Sequence, residues 1–325
     1  MEATASAPGK VILFGEHFVV HGEPAIVCAI NMRVYVKVRA NNEGFFYLKS
    51  KDLRASGTFK EDVFIPEEGG VEASVKLEPI KLAAERTLQK LNQSIGLSIE
   101  VRSELPVAAG LGSSAAVASA TAAAVNHLFG DTLTKEDISQ ISLEAERLIH
   151  GKPSGIDPAI TTFGGILLFS MKEGFKKIPV KGELPLVIGD VGVERSTGKM
   201  VTIVNEVLRR YPHITGNIFK VGRLIVQEAV EALETSDLYR LGELMNINHG
   251  LLSAIGVSHE KIEKLVYAAR KFGALGSKLT GAGGGGCMIA LTVPEKIEGV
   301  VKAIEEAGGR AYIAEKTDEG VRIEE

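Results

Sequence analysis

The chain has no tryptophan, and aromatic residues make up only 6% of its 325 positions. Base-stacking platforms for single-stranded nucleic acid are built from such rings, and a formal net charge of −4 supplies no broad basic face in their place. No nucleic-acid partner is expected. Only two cysteines occur, Cys28 and Cys287, far apart and in apolar or glycine-rich surroundings. Two lone thiols without a spacing pattern argue against a disulfide scaffold or a structural zinc and for a reducing compartment. No apolar run is long enough to span a bilayer, and residues 1–6 lack the basic stretch and apolar run of a signal peptide. The expected location is cytoplasmic, with no membrane partner.

Composition is otherwise that of a globular protein, with 45% hydrophobic and 24% charged residues, and the length suits two ordinary domains. Strand patterns fall at 11–14, 25–38, 97–101, 165–170, 186–190, 287–293, 311–315 and 321–324. Helical patterns fall at 76–92, 113–129, 135–150, 199–210, 217–234, 238–252, 259–272 and 294–307. Thr134 is the expected N-cap of the 135–150 helix and Gly151 its stop. Residues 41–72 predict a hairpin or excursion, and the Lys-, Gly- and Pro-containing stretch 171–184 marks a candidate boundary. The mixture predicts an α+β chain of two domains, 1–180 and 181–325. The long helices of the second half could pair into a homodimer or pack within their own domain.

Two stretches carry most of the chemistry. Pro106-Val-Ala-Ala-Gly-Leu-Gly-Ser-Ser-Ala-Ala is a glycine turn running into an alanine-rich helix. Such a turn leaves unpaired backbone N–H groups facing an anion, which the helix dipole also favours. Gly110 to Ala115 also matches a dinucleotide pattern, G-x-G-x-x-A, but several residues separate it from the preceding strand, and no Walker lysine follows. The plainer reading is a turn that only starts a helix. Ser113 and Ser114 speak against it, since two hydroxyls there can meet phosphate or magnesium. The second stretch, Gly151-Lys-Pro-Ser-Gly-Ile-Asp-Pro, displays one carboxylate, Asp157. Pro158 is expected to push Asp157 toward extended backbone. A restricted carboxylate suits acceptance of a proton from a fixed hydroxyl; alone, the tetrapeptide reads equally as a simple turn.

Other residues are weaker singly. Glu146 shares a helical stripe with Ile138, Ser142 and Ile149, a costly place for a carboxylate without a partner. Magnesium is one partner and an ion pair with Arg147 or another base is the other. Lys10 precedes the strand at 11–14 and could steady a transferred phosphate or Asp157, or be a turn lysine. Glu16, His17 and His21 follow that strand, where polar residues often bind substrate. Lys278-Leu-Thr-Gly-Ala-Gly-Gly-Gly-Gly-Cys leads directly into an apolar strand, which favours close backbone approach over a linker. Arg195 lies just past the strand at 186–190, where a guanidinium could clamp a carboxylate or a phosphate, or be an ordinary loop arginine.

Taken together, the segments 7–22, 106–116 and 278–287, in that order, resemble the three motifs of the GHMP kinases, and 146–157 resembles the mevalonate kinase branch. The resemblance implies an amino-terminal domain similar to a ribosomal-protein and elongation-factor domain, with a left-handed βαβ crossover. It also implies a ferredoxin-like second domain, a cleft between the two, and a last strand that can return to the first domain. It implies ATP and Mg2+ and phosphorylation of the C5 hydroxyl of mevalonate. By matching position, Asp157 is the implied catalytic base and Lys10 its charge partner. Ser114 and Glu146 are the implied magnesium ligands. Glu104, Leu105, Pro106, Val107, Ala108, Ala109, Gly110, Leu111, Gly112, Ser113 and Ser114 form the implied ATP phosphate loop. Glu16, His17, Arg195, Thr280, Gly281 and Ala282 are the implied substrate contacts. Alternatives at this stage are another GHMP kinase acting on a phosphomevalonate, a sugar or homoserine, a nucleotide-binding regulator without catalysis, and an NAD-linked dehydrogenase. Phe18-Val-Val-His after Glu16-His17, where a galactokinase has Thr-Asp-Tyr, argues against a galactokinase.

Overall fold

Two antiparallel-rich sheets organise the chain, and the helices that carry the conspicuous motifs lie on the first. The computed structural model describes residues 2–61, 63–107, 109–150, 154–193 and 196–325, with the side chains of 149 and 150 left aside. The first half runs β1 (Glu2–Phe14), β2 (Ala25–Asn41), β3 (Phe46–Ser50), β4 (Ala55–Lys60), β5 (Val63–Glu68), α1 (Ala73–Lys90), β6 (Gly96–Ser103), α2 (Ser113–Leu128), α3 (Lys135–His150), α4 (Ile156–Phe163), β7 (Ile166–Ser170) and β8 (Gly174–Lys177). The second half runs β9 (Pro185–Asp190), α5 (Thr197–Arg210), α6 (Pro212–Glu234), α7 (Leu238–Ala254), α8 (Glu260–Lys271), β10 (Gly276–Thr280), β11 (Cys287–Leu291), α9 (Ile297–Glu306), β12 (Arg310–Glu315) and β13 (Arg322–Glu324).

The first sheet has the order β13-β1-β2-β6-β3-β4-β5, with β7 on the far part of β2 and β8 beyond it. The excursion expected at 41–72 is thus three strands, and β3 runs parallel to β6. The second sheet has the order β10-β11-β9-β12, all antiparallel. In chain order that is 4-1-3-2 read from its far edge, the arrangement of a ferredoxin-like split βαβ unit. The closing segment crosses back: β13 pairs with β1, Thr317 N–H donates to Ala29 O at 3.0 Å and Val321 N–H to Thr162 O at 3.2 Å.

Alanine explains the position of α2. Ala115, Ala116, Ala118, Ala120, Ala122 and Ala124 are all buried, and the helix packs on β1 and β2. Short side chains give the helix high intrinsic propensity and allow its backbone to lie close to the sheet. Its amino end therefore arrives beside β1 at Lys10. Capping of α3 is reciprocal: Asp137 N–H donates to Thr134 Oγ1 at 3.2 Å, and Thr134 N–H donates to Asp137 Oδ2 at 3.1 Å. The expected stop at Gly151 lies outside the described residues.

Candidate active site

Three elements deliver three charged side chains to one place. Lys10 on β1 places Nζ 3.0 Å from Asp157 Oδ1 in the first turn of α4. Glu146 on α3 faces both, only 5% exposed. Burial pushes its carboxyl up to about 8; the Asp157 carboxylate adds to the rise and the Lys10 ammonium opposes it. The expected stripe is seen in the burial of Ile138 and Ser142 alongside Glu146, with Ser142 Oγ donating to Ala115 O at 3.2 Å. No ion pair to Glu146 occurs among the described residues.

The backbone of Asp157 departs from expectation. It is helical, not extended: α4 starts after Gly155 and holds Asp157 and Pro158 in its first turn. The first-turn amides of a helix have no intrahelical acceptor, so proline costs little there. A carboxylate in that turn also gains from the helix dipole.

The amino end of α2 completes this side. Its N-cap, Gly112, has φ +77°, and no side chain caps the helix. The first intrahelical bond runs from Ala116 N–H to Gly112 O at 3.0 Å, so the amides before it face outward from the helix. Ser113 and Ser114 are partly exposed. Lys10 N–H donates to Leu111 O at 2.8 Å, which ties the loop to β1. A Cβ on Gly112 would sit 2.7 Å from Lys10 Cγ, so only glycine lets the lysine stem lie across the turn. Leu105, Ala109 and Leu111 are buried supports, Val107 is exposed, and Ala108 lies outside the described residues. Glu104 turns the other way: its Oε2 accepts from Arg33 N–H at 3.0 Å.

The remaining expected site residues form a seam between the two sheets. Thr280 Oγ1 accepts from Ile12 N–H at 2.9 Å and donates to Ile12 O at 3.1 Å. His17 Nε2 lies 2.7 Å from Ala282 O. Gly281, Ala282 and Gly283 are buried, and a Cβ on Gly283 would collide with Val257 O. Glu16 is fully buried against Lys278. His21 stacks on Phe219 with ring centroids 4.6 Å apart. Arg195 lies outside the described residues. The geometry brings a carboxylate paired with an ammonium, a second buried carboxylate and an uncapped helix end close together, an arrangement chemically able to serve phosphoryl transfer onto a hydroxyl.

Comparisons with known proteins agree in extent and order. The model of the GHMP kinases N terminal domain matches residues 78–165, and that of the GHMP kinases C terminal matches 229–310. A protein of Thermococcus sibiricus named mevalonate kinase is 44% identical over 333 residues, covering 100% of this chain and 99% of that protein. The chain belongs to the GHMP kinases, in the mevalonate kinase family.

Solved GHMP kinase structures share the architecture. L. major mevalonate kinase in complex with R-mevalonate superposes with a TM-score of 0.84 at 31% identity, covering 97% of this chain and 96% of that one. Methanococcus jannaschii mevalonate kinase gives a TM-score of 0.86 at 28% identity, covering 98% and 99%. The galactokinase galactose-binding signature also matches, over residues 1–40, the stretch that holds the first GHMP motif. No helix among the described residues is long and apolar enough to cross a membrane. Sequence reasoning missed three polar residues of this GHMP fold, Lys278 as a buried charge, Asn248 and His249. Lys278 opens the third motif but nothing in its spacing marks it as a buried charge, and Asn248 and His249 carry no motif; the packing of α7 on β10 brings those two beside Glu16 and Leu279.

Proposed function

We propose that this GHMP kinase transfers the γ-phosphoryl group of ATP to the C5 hydroxyl of mevalonate, giving 5-phosphomevalonate and ADP for isoprenoid synthesis. The observation that carries the reading is the Lys10–Asp157 pair at 3.0 Å, set between the open end of α2 and the seam at Thr280. Asp157 accepts the hydroxyl proton as the oxygen bonds to the γ-phosphorus and the bond to the bridging oxygen of ADP breaks. Lys10 and the first amides of α2 neutralise charge on the phosphate oxygens. His17, Thr280, Gly281 and Ala282 border the acceptor, and Arg195 is assigned to it by its place in the sequence alone. Glu16 stands behind His17 with its carboxylate held inside the protein.

Magnesium belongs to the same proposal. A buried carboxylate without an ion pair among the described residues, Glu146, and a partly exposed hydroxyl, Ser114, are oxygen donors that a hard cation takes alongside water and phosphate. The ion, when bound, would supply positive charge against the phosphate oxygens. A panel of mevalonate, 5-phosphomevalonate, galactose and homoserine with γ-labelled ATP tests the assignment. Label is expected in mevalonate alone; transfer to any other acceptor in its place overturns it.

A further inference from the structure

Beneath the acceptor side lies a charge pair that the chemistry above does not use. Lys278 on β10 and Glu16, just after β1, are in contact with both side chains shut off from solvent. The second Glu16 oxygen accepts from Asn248 Nδ2 on α7 at 3.1 Å, and Lys278 Nζ also donates to Leu279 O at 2.7 Å. Glu16 comes from the first half of the chain, Lys278 and Asn248 from the second. Next to Asn248, His249 Nδ1 accepts from Leu279 N–H at 3.3 Å, so α7 holds both Glu16 and β10.

Stability does not account for this cluster. Burying an ammonium and a carboxylate costs several kcal/mol per ion, and their attraction often only matches what a hydrophobic pair of equal volume provides. Burial lowers the Lys278 ammonium from the ordinary lysine range, with Glu16 opposing. Asn248 Oδ1 is buried without a partner among the described residues, a further cost of about 1–3 kcal/mol. What directed charges do provide is a single register between the two surfaces that carry them.

That register is passed on to the cleft. Lys278 and Thr280 alternate onto one face of β10, and Thr280 bonds both the N–H and the carbonyl of Ile12. Ile12 is two residues from Lys10 on the same strand. His17, adjacent to Glu16, meets Ala282 O. Phe18 is fully buried against α6, where Gly222 leaves room for its ring. The triphosphate side has separate supports, namely α2 and the Lys10 N–H to Leu111 bond.

We propose that Lys278, acting through Glu16 and Asn248, is the positioning residue of the acceptor side: it fixes His17 and the 280–282 segment at the separation the acceptor alcohol requires. The identity of the acceptor rests on the functional reading above; the coupling itself does not. The test compares the wild type with the paired variant Lys278→Met/Glu16→Gln, which removes both charges, and with Asn248→Ala, which leaves the ion pair in place. Amide hydrogen exchange without ligands is expected to accelerate at 12–18 and 278–284 and to stay unchanged at 110–118. In kinetics the acceptor KM is expected to rise roughly tenfold to a hundredfold while the ATP KM stays put. Unaltered exchange at 12–18 and 278–284, or equal losses for acceptor and ATP, overturns the proposal. If the paired variant does not fold, Asn248→Ala decides by the same two readouts. A wild type that fails to phosphorylate mevalonate sinks the functional reading, and the exchange data then still decide the coupling.

Discussion

Lys10 Nζ and Asp157 Oδ1 are 3.0 Å apart although 147 positions separate them in sequence. The strand that carries Lys10 is tied to the α2 loop through Leu111 and, two residues on, to Thr280 through Ile12. One short piece of β1 thus touches the loop before α2, Asp157 and the segment at Thr280. Its geometry leads to predictions at sites on and off the cleft.

Gly112 tests the contact between loop and lysine. Gly112→Ala meets both a left-handed backbone and the Lys10 stem, whereas Gly182, at φ +86°, has open space where a Cβ would go. Each alanine variant is expected to lose roughly 1–2 kcal/mol from the left-handed backbone. Only Gly112→Ala should also lose turnover, by about tenfold to a hundredfold. Urea unfolding and steady-state kinetics on the two variants check this, and equal kinetics in both would contradict it.

Glu146 makes metal-free stability depend on pH. Its carboxyl is raised from the ordinary 4.5 to about 8, so between those values the folded protein holds a proton that the unfolded chain has released. Stability contributed at this site therefore falls as pH rises through that window. Glu146→Gln removes the dependence. Melting temperatures in chelator, from about pH 5 to about pH 9, should show the variant gaining on the wild type as pH rises. Parallel curves would count against the buried carboxyl.

Arg33 fastens the end of the chain. Its guanidinium donates to Ser6 Oγ at 2.7 Å, Ser6 O at 3.1 Å and Gly320 O at 2.7 Å, and the residue is only 4% exposed. Ser6 Oγ in turn contacts the Glu324 carboxylate. Arg33→Met is expected to cost on the order of 3–5 kcal/mol, because it strands buried acceptors. Chemical denaturation measures this, and carboxypeptidase should trim β13 faster in the variant. An unchanged unfolding midpoint would show that the strand is held by its ladder alone.

Much of the site is legible in the sequence alone. The glycine turn before Ser113 announced an open helix end, and the alanines after it a helix able to lie flat on a sheet. The stripe through Ile138, Ser142 and Glu146 located a buried carboxylate. Asp157 was legible as a chemical group but not in its backbone, because the bias that proline imposes on the preceding residue is relaxed in the first turn of a helix. Strand β10, Gly-Ser-Lys-Leu-Thr, is wholly buried yet has neither the apolar run nor the alternation that marks a strand. Its polar groups are satisfied by α7, α8, β1 and the turn after β1, contacts between distant segments that no local pattern encodes. The strand pattern at 321–324 is legible and becomes β13, but its partner, β1, is a distant segment that the pattern does not name.

The most direct test of the account is phosphoryl transfer from γ-labelled ATP to mevalonate by Asp157→Asn, measured beside ATP binding by the same variant. The variant keeps the shape of the side chain and removes the group that takes the proton. Transfer should fall on the order of 10²–10⁴-fold while ATP affinity stays near that of the wild type. Transfer at the wild-type rate would contradict the assignment of Asp157 as the base.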